Sequence, residues 1–484
     1  MSDIRNLEPK AVWHYFDEIT RVPRPSKHEE KIRTYLIRFA EEHNLDCRQD
    51  DTGNVVIRKP ASKGMETAPG VVLQSHVDMV AEKNNDVAFD FMKDAIQTYI
   101  DDGWVKARGT TLGADDGIGM AAALAVLTDD ALAHGPVEAL FTVDEETGLT
   151  GAFGLGGGML TGKYLINLDS EDEGEIFIGC AGGIDTVATF PYKKEAVDPG
   201  TKAFVIALKG LTGGHSGDDI HKGYGNSNKI LNRFLLHGSR EFGLRLSFFD
   251  GGNLRNAIPR EAFAIFTIPS DRAAEMKKHF EVFTGEIREE YKYTEKNIAF
   301  SLDETTAAHV VDRGTQEGLL PAIQGVANGV LAMSQSVAGL VETSTNLASV
   351  KFADDDKIIA TTSQRSSVES AKYDAMRTVE STLLLGGAQI AHSDGYPGWA
   401  PDPDSHLLRV AEKVYRDEFG REAKVKAIHA GLECGLFLKK HPHLEMISIG
   451  PTLRGVHSPD ERLEIATVGM FWKLLAGILA GLKS

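Results

Sequence analysis

Cysteine is scarce in this chain: Cys47, Cys180 and Cys434 are the only three in 484 residues. They are far apart and odd in number, which argues against a disulfide framework and for buried thiols in a reducing compartment. Long apolar stretches are missing as well. No run reaches the roughly 18 residues of a membrane span, and the start, Met-Ser-Asp-Ile-Arg-Asn-Leu-Glu, has no apolar core after a basic beginning. The expected location is the cytoplasm. Positive charge is in deficit, with 52 Lys and Arg against 70 Asp and Glu and a formal net charge of −18. Nucleic acid and anionic membranes demand clustered cations, so neither is an expected partner, whereas small molecules are. No internal repeat or low-complexity segment is evident.

What remains is a soluble globular composition, 42% hydrophobic and 25% charged, in a chain too long for one ordinary core. Residues 9–44 carry apolar side chains at helical spacing, broken at Pro23-Arg24-Pro25-Ser26, which predicts two helices. Short apolar runs at 55–57, 71–73, 137–143, 164–168 and 176–178 suit buried strands, and 117–127 is an Ala-rich helix. Strands alternating with helices predict an α/β sandwich. Near Gly179-Cys180-Ala181-Gly182-Gly183 the texture changes, and alternating stretches such as 203–208 and 262–268 predict an antiparallel sheet with helices on one face. Turn residues at 394–401 close that region, and a helical pattern resumes over 406–418. The expected arrangement is a discontinuous domain, 1–183 and 396–484, interrupted by an inserted domain, 184–395.

Acidic and histidine residues recur at the tips of the apolar runs: Gln74-Ser75-His76-Val77-Asp78, Gly113-Ala114-Asp115-Asp116-Gly117, Asp144-Glu145-Glu146, Asn167-Leu168-Asp169-Ser170 and Gly455-Val456-His457-Ser458. Imidazoles and carboxylates are ligands for borderline divalent cations, and strand ends gather distant segments at one sheet edge. In His76-x-Asp78 the two side chains project to the same side, so Asp78 can accept the second imidazole N–H and orient the ring. Taken singly, each motif has a plainer reading: a turn histidine, a helix cap at Asp115-Asp116, a solvated turn at 144–146. Taken together, they supply enough ligands for two zinc ions if one carboxylate bridges. Of the adjacent glutamates, one can then ligate while the other takes a proton from an activated water.

In motif order over nearly the whole chain, these residues resemble the two-zinc exopeptidases that include carnosinases, aminoacylases and carboxypeptidase G, and the likeness is strongest to their dipeptidase branch. The resemblance implies a three-layer catalytic domain with a mainly parallel or mixed sheet, plus an inserted α+β lid. It implies that His76, Asp115 and Asp169 hold one metal and Asp115, Glu146 and His457 the other. Glu145 would be the general base, Asp78 would orient His76, and the Asp115-Asp116 peptide would be cis. In the insertion, Gly213-Gly214-His215-Ser216-Gly217 and Asn253-Leu254-Arg255-Asn256-Ala257-Ile258-Pro259 resemble lid motifs. His215 would stabilise the oxyanion, Asn256 would contact the substrate backbone and Arg365 would pair with a substrate carboxylate. Glu433, in Gly431-Leu432-Glu433-Cys434-Gly435, would meet a substrate amino group. The insertion is about twice the small lid through which many relatives dimerise, so a homodimer is an open expectation.

The implied activity is metal-dependent hydrolysis of dipeptides, Xaa-His type and carnosine-like substrates included. The ions are zinc, with cobalt or manganese acceptable to the same ligands. An N-acyl amino acid deacylase is the alternative within the same chemistry, and a catalytically inactive amino-acid-binding protein is the alternative outside it. Glu145 beside Glu146 argues against a pure binder, which has no need of a base. The glycine-rich stretch at 151–158 does not directly follow a strand, which argues against a dinucleotide site.

Overall fold

The computed structural model describes residues 4–483, and these separate into two compact units. The first comprises residues 4–179, 401–427 and 432–483, and the second Cys180–Ala400 and Ile428–Gly431.

In the first unit the apolar runs form an eight-stranded sheet. Its order is Asp46–Gln49, Val55–Lys59, Val137–Thr142, Val71–His76, Tyr164–Asn167, Glu445–Ser448, Glu175–Cys180, Lys424–Ile428. Val71–His76 is parallel to both neighbours, and Tyr164–Asn167 is parallel to Glu445–Ser448. Val55–Lys59 and Glu175–Cys180 pair antiparallel with their partners, so the sheet is mixed. All residues of the three central strands are buried, which requires cover on both faces. Val71, Leu73, Ala139, Phe141 and Ile166 join one core with the helices Lys10–Thr20, Ala114–Thr128, His406–Phe419 and Ile465–Gly481. Val72, Leu140 and Leu165, equally buried, point the other way by strand alternation. A small second sheet, Leu453–Arg454, Arg462–Glu464, Trp104–Ala107 and Thr98–Asp101, carries the turn that contains His457.

The second unit is built on a nine-stranded sheet whose pairings are all antiparallel. Alternate residues such as Phe204, Ile206 and Leu208 face the helices Ser227–Glu241, Ala273–Glu290, Arg313–Gly325 and Glu369–Leu385 in a separate core. The fold class is the α/β domain plus α+β insertion read from the sequence. One feature has no counterpart in that reading. Residues Ile428–Gly431 belong to the second unit, where the Ala181 N–H donates to the carbonyls of Ile428 at 3.1 Å and Ala430 at 3.0 Å.

Candidate metal centre and active site

Three neighbouring parallel strands of the first unit end at one edge. His76 closes Val71–His76, Glu145 and Glu146 follow Val137–Thr142, and Asp169 lies just past Tyr164–Asn167. Parallel pairing puts strand C-termini side by side, so segments far apart in sequence deliver their side chains to one place. Asp115 arrives from above the sheet at the start of Ala114–Thr128, after Gly113 in the left-handed region at φ 68°. The Asp115–Asp116 peptide is cis. The capping reading belongs to Asp116, whose Oδ1 accepts the Gly119 N–H at 3.1 Å. Asp115 instead turns its two oxygens to two histidines: Oδ1 is 3.0 Å from His76 Nε2, and Oδ2 is 3.2 Å from His457 Nε2.

Around that carboxylate, Asp169 Oδ1 lies 3.5 Å from His76 Nε2, and Glu146 Oε2 lies 2.9 Å from His457 Nε2. Ligand atoms of His76, Asp115 and Asp169 fall within 4.8 Å of one another, as do those of Asp115, Glu146 and His457. His76 with Glu145 and Glu146 makes a further such group. Asp78 stands behind, with Oδ1 3.3 Å from His76 Nδ1, and accepts the N–H groups of Glu145 at 3.0 Å and Glu146 at 3.3 Å and the Ser26 hydroxyl at 2.8 Å.

Negative charge is in excess here. Burial pushes the Asp78 carboxyl up, but His76, the Glu145 N–H and Ser26 outweigh it and hold the group at about 2. Asp115 is also held low, burial being overcome by His457 and His76. The other carboxyls go the opposite way. Burial and neighbouring carboxylates drive Asp169 up against the pull of His76, and burial raises Glu145 to about 8, with Glu433 and Glu146 adding to the shift. His457 rises to about 11 through its bonds to Asp115 and Glu146. Buried carboxylates so arranged call for cations. The donor set, two imidazoles and several carboxylates with one facing both ways, fits a pair of divalent ions, and Glu146 Oε1 is buried without a partner.

Glu433 begins the helix Glu433–Lys440 in the same unit. Its Oε2 accepts Gln74 Nε2 at 2.6 Å and the Thr142 hydroxyl at 2.9 Å, while Oε1 is buried and unpartnered. Gln74 is itself held by Asn167, whose Nδ2 donates to Gln74 Oε1 at 2.7 Å.

In the second unit the His215 and Asn256 motifs lie side by side. His215 bridges to Ala257, and the Ser216 N–H donates to the Asn256 carbonyl at 2.8 Å. The Asn256 side chain is exposed. Arg365, on Lys357–Ser366, is 7% exposed. Its Nη1 donates to the Tyr396 hydroxyl at 3.0 Å and its Nε has no partner. His429 lies near it, 2.7 Å from the Ser344 hydroxyl, and is held at about 4 by burial and by the Arg365 charge. Tyr396 and His429 are not among the candidate functional residues read from the sequence, nor are Arg24 and Glu461 of the first unit. None sits in a recognisable spacing, and their burial is visible only in the fold.

Comparison with known proteins finds relatives along nearly the whole chain. The chain is 45% identical over 481 residues to the cytosol non-specific dipeptidase of Escherichia coli (strain K12), covering 99% of each. The crystal structure of aminoacylhistidine dipeptidase from Vibrio alginolyticus superposes with a TM-score of 0.95 at 46% identity, over 99% of this chain and 98% of that one. Aminopeptidase PepT from Bacillus cereus shares the fold, with a TM-score of 0.57 at 17% identity over 98% of this chain and 99% of its own. Residues 72–480 match peptidase family M20/M25/M40, and the chain belongs to that family.

Proposed function

We propose that this protein is a metal-dependent dipeptidase acting on dipeptides with a free amino end, Xaa-His among them. The observation that carries the proposal is the Asp115 carboxylate, one oxygen toward His76 and the other toward His457, each with a further carboxylate beside it. His76, Asp115 and Asp169 would hold one ion and Asp115, Glu146 and His457 the other, in a site whose ligands suit zinc, cobalt or manganese. When bound, the ions polarise the scissile carbonyl and make water a nucleophile near neutral pH. Glu145 would serve as the base, taking a proton from the attacking water and handing it to the leaving amine. Its rise to about 8 without cations puts it where nearby positive charge would return it to the useful range of a base. Asp78 keeps the His76 ring in one orientation.

Glu433 favours the dipeptidase over the deacylase reading. A buried carboxylate oxygen without a partner suits a substrate ammonium, which an N-acylated substrate lacks. Arg365 is proposed for the substrate carboxylate, His215 for the developing oxyanion and Asn256 for the substrate backbone. The relatives' names differ in breadth, one non-specific and one aminoacylhistidine, so Xaa-His is read as one accepted class. Among the described residues no helix is long and apolar enough to cross a membrane. A cytoplasmic homodimer is the proposed setting, checked by fractionation and sedimentation. The test of function is a dipeptide panel on metal-reconstituted protein with N-acetylated counterparts. Hydrolysis of free dipeptides, Xaa-His included, is expected, and cleavage of only the N-acetylated compounds would favour the deacylase.

A further inference from the structure

Two buried charged side chains that belong to neither ligand set stand behind the ligand loops of the first unit. Glu461 is 2% exposed and lies in the same turn as His457. Its Oε2 accepts the N–H groups of Leu112 at 2.7 Å and Gly113 at 3.0 Å, and its Oε1 those of Ala114 at 2.8 Å and Asp115 at 3.3 Å. These donors lead into the helix Ala114–Thr128, ahead of its regular turns, because Asp115 and Asp116 have non-helical backbone angles and Asp116 supplies the local cap to Gly119. A local Ser or Asp would cap a helix by satisfying one or two N–H groups. Here a carboxylate from a distant turn collects four. That turn is tied to itself, with the Glu461 N–H donating to the Ser458 carbonyl at 3.0 Å and the Ser458 hydroxyl to the Gly455 carbonyl at 2.6 Å. The path from Asp115 through Glu461 to the Ser458 carbonyl, next in sequence to His457, is therefore short and hydrogen-bonded.

Arg24, 1% exposed, does the corresponding work on the other side. Its Nη1 donates to the carbonyls of Val77 at 2.9 Å and Asp78 at 2.7 Å, and its Nη2 to the carbonyl of Gly113. A Cβ at position 113 would stand 2.8 Å from Nη2, so the guanidinium occupies space that only glycine leaves open. Arg24 thus links the loop after His76 to the loop before Asp115.

We propose that Glu461 and Arg24, which grip Gly113 through its N–H and its carbonyl, are positioning residues that set the spacing of the ligand loops, each toward a different one. Glu461 holds Asp115 against His457, and Arg24 holds it against His76 and Asp78. The inference rests on the two-cation reading above. It follows that the two ion sites are tuned separately, because Asp115 belongs to both but each strut reaches only one of its histidine-bearing loops.

The test is a calorimetric cobalt titration of the metal-stripped full chain. Glu461→Gln should behave like His457→Ala, with one cobalt bound as in wild type and the second weakened about 10- to 100-fold, the scale of losing an outer-shell partner. Arg24→Lys should weaken the other ion, as His76→Ala does. Glu461→Asp keeps the charge but shortens the reach, should shift the same ion as Glu461→Gln, and carries the test if the glutamine variant does not fold. Leu463→Ala, which truncates a buried side chain on the strand beside the turn, controls for destabilisation alone and should lower Tm while keeping both affinities. Unchanged affinities in the Glu461 variants, or an equal fall in both ions, would overturn the proposal. Failure of wild type to take up two cobalt ions would sink the two-cation reading instead, which keeps the two failures distinct.

Discussion

The candidate site residues of the two units differ in the sign of the charge they bury. In the first, the carboxylates of Asp78, Asp115, Glu145, Glu146, Asp169 and Glu433 crowd around two histidines, and burial raises several of them toward neutrality. In the second, the Arg365 guanidinium is buried beside His429, whose pKa burial and the arginine depress, and donates to the Tyr396 hydroxyl. A buried charge without a countercharge is costly. Around His76 and His457 the carboxylates outnumber the cationic side chains, whereas Arg365 takes a hydroxyl as hydrogen-bond partner and feels the Asp218 charge from further off. The sheets differ in the same sense: parallel strands present their ends to chemistry, whereas the antiparallel sheet carries Arg365 within the strand Lys357–Ser366.

If that contrast holds, substitutions at the ligands and base of the first unit should act on metal content and kcat, whereas those at Arg365 and His215 in the second should leave metal content intact and act on KM and kcat respectively. The largest effect is expected from Asp115→Ala, which removes the one carboxylate shared by both ions. Metal analysis should find less than one ion per chain and activity near background, and chelation of wild type should do the same, reversibly on adding zinc, manganese or cobalt. Two ions retained in Asp115→Ala would break the comparison at its centre.

Glu145→Gln comes next, with metal content kept and hydrolysis slowed by about 10²–10⁴-fold, the range for a lost general base. Loss of metal in this variant would make Glu145 a ligand, consistent with its proximity to His76 and Glu146.

Arg365→Ala should leave metal content unchanged and raise KM by about 10–100-fold for substrates with a free carboxylate, the equivalent of one charge-assisted hydrogen bond. Dipeptide amides should be nearly indifferent to it. His215→Ala should lower kcat more than it raises KM, since an oxyanion contact strengthens only in the transition state. Equal behaviour of acids and amides in Arg365→Ala would take the arginine out of recognition.

The smallest effect is a pH slope. His429 is held at about 4 in the folded chain against an ordinary 6.5, so between those values the unfolded chain binds a proton that the native one does not. Stability from this group is present above pH 6.5 and declines as pH falls toward 4. His429→Gln should flatten the fall of Tm with acidification over that window, and an unchanged profile would remove His429 as its source.

The strand ends that carry His76, Glu145, Glu146 and Asp169 are legible in the sequence because a buried parallel strand is a largely apolar run, and ligand-type residues gathered at its tip stand out. Asp115 is legible for a related reason, as the acidic start of an Ala-rich helix, though nothing in Asp115-Asp116 tells which carboxylate caps and which turns outward. The fold assigns the cap to Asp116. Arg24 and Glu461 look like surface charges, one in a proline-rich break and the other in a Ser-Pro-Asp-Glu turn. Hydrophobic periodicity reports burial only for apolar side chains, and a buried ion is betrayed by its partners, which lie far away in sequence. The sequence by itself determined which segments become strands and helices and which residue types line their ends, since those depend on local pattern. Only the tertiary structure decided that one carboxylate would meet four N–H groups and one guanidinium three carbonyls, because such contacts exist only once distant loops are brought together.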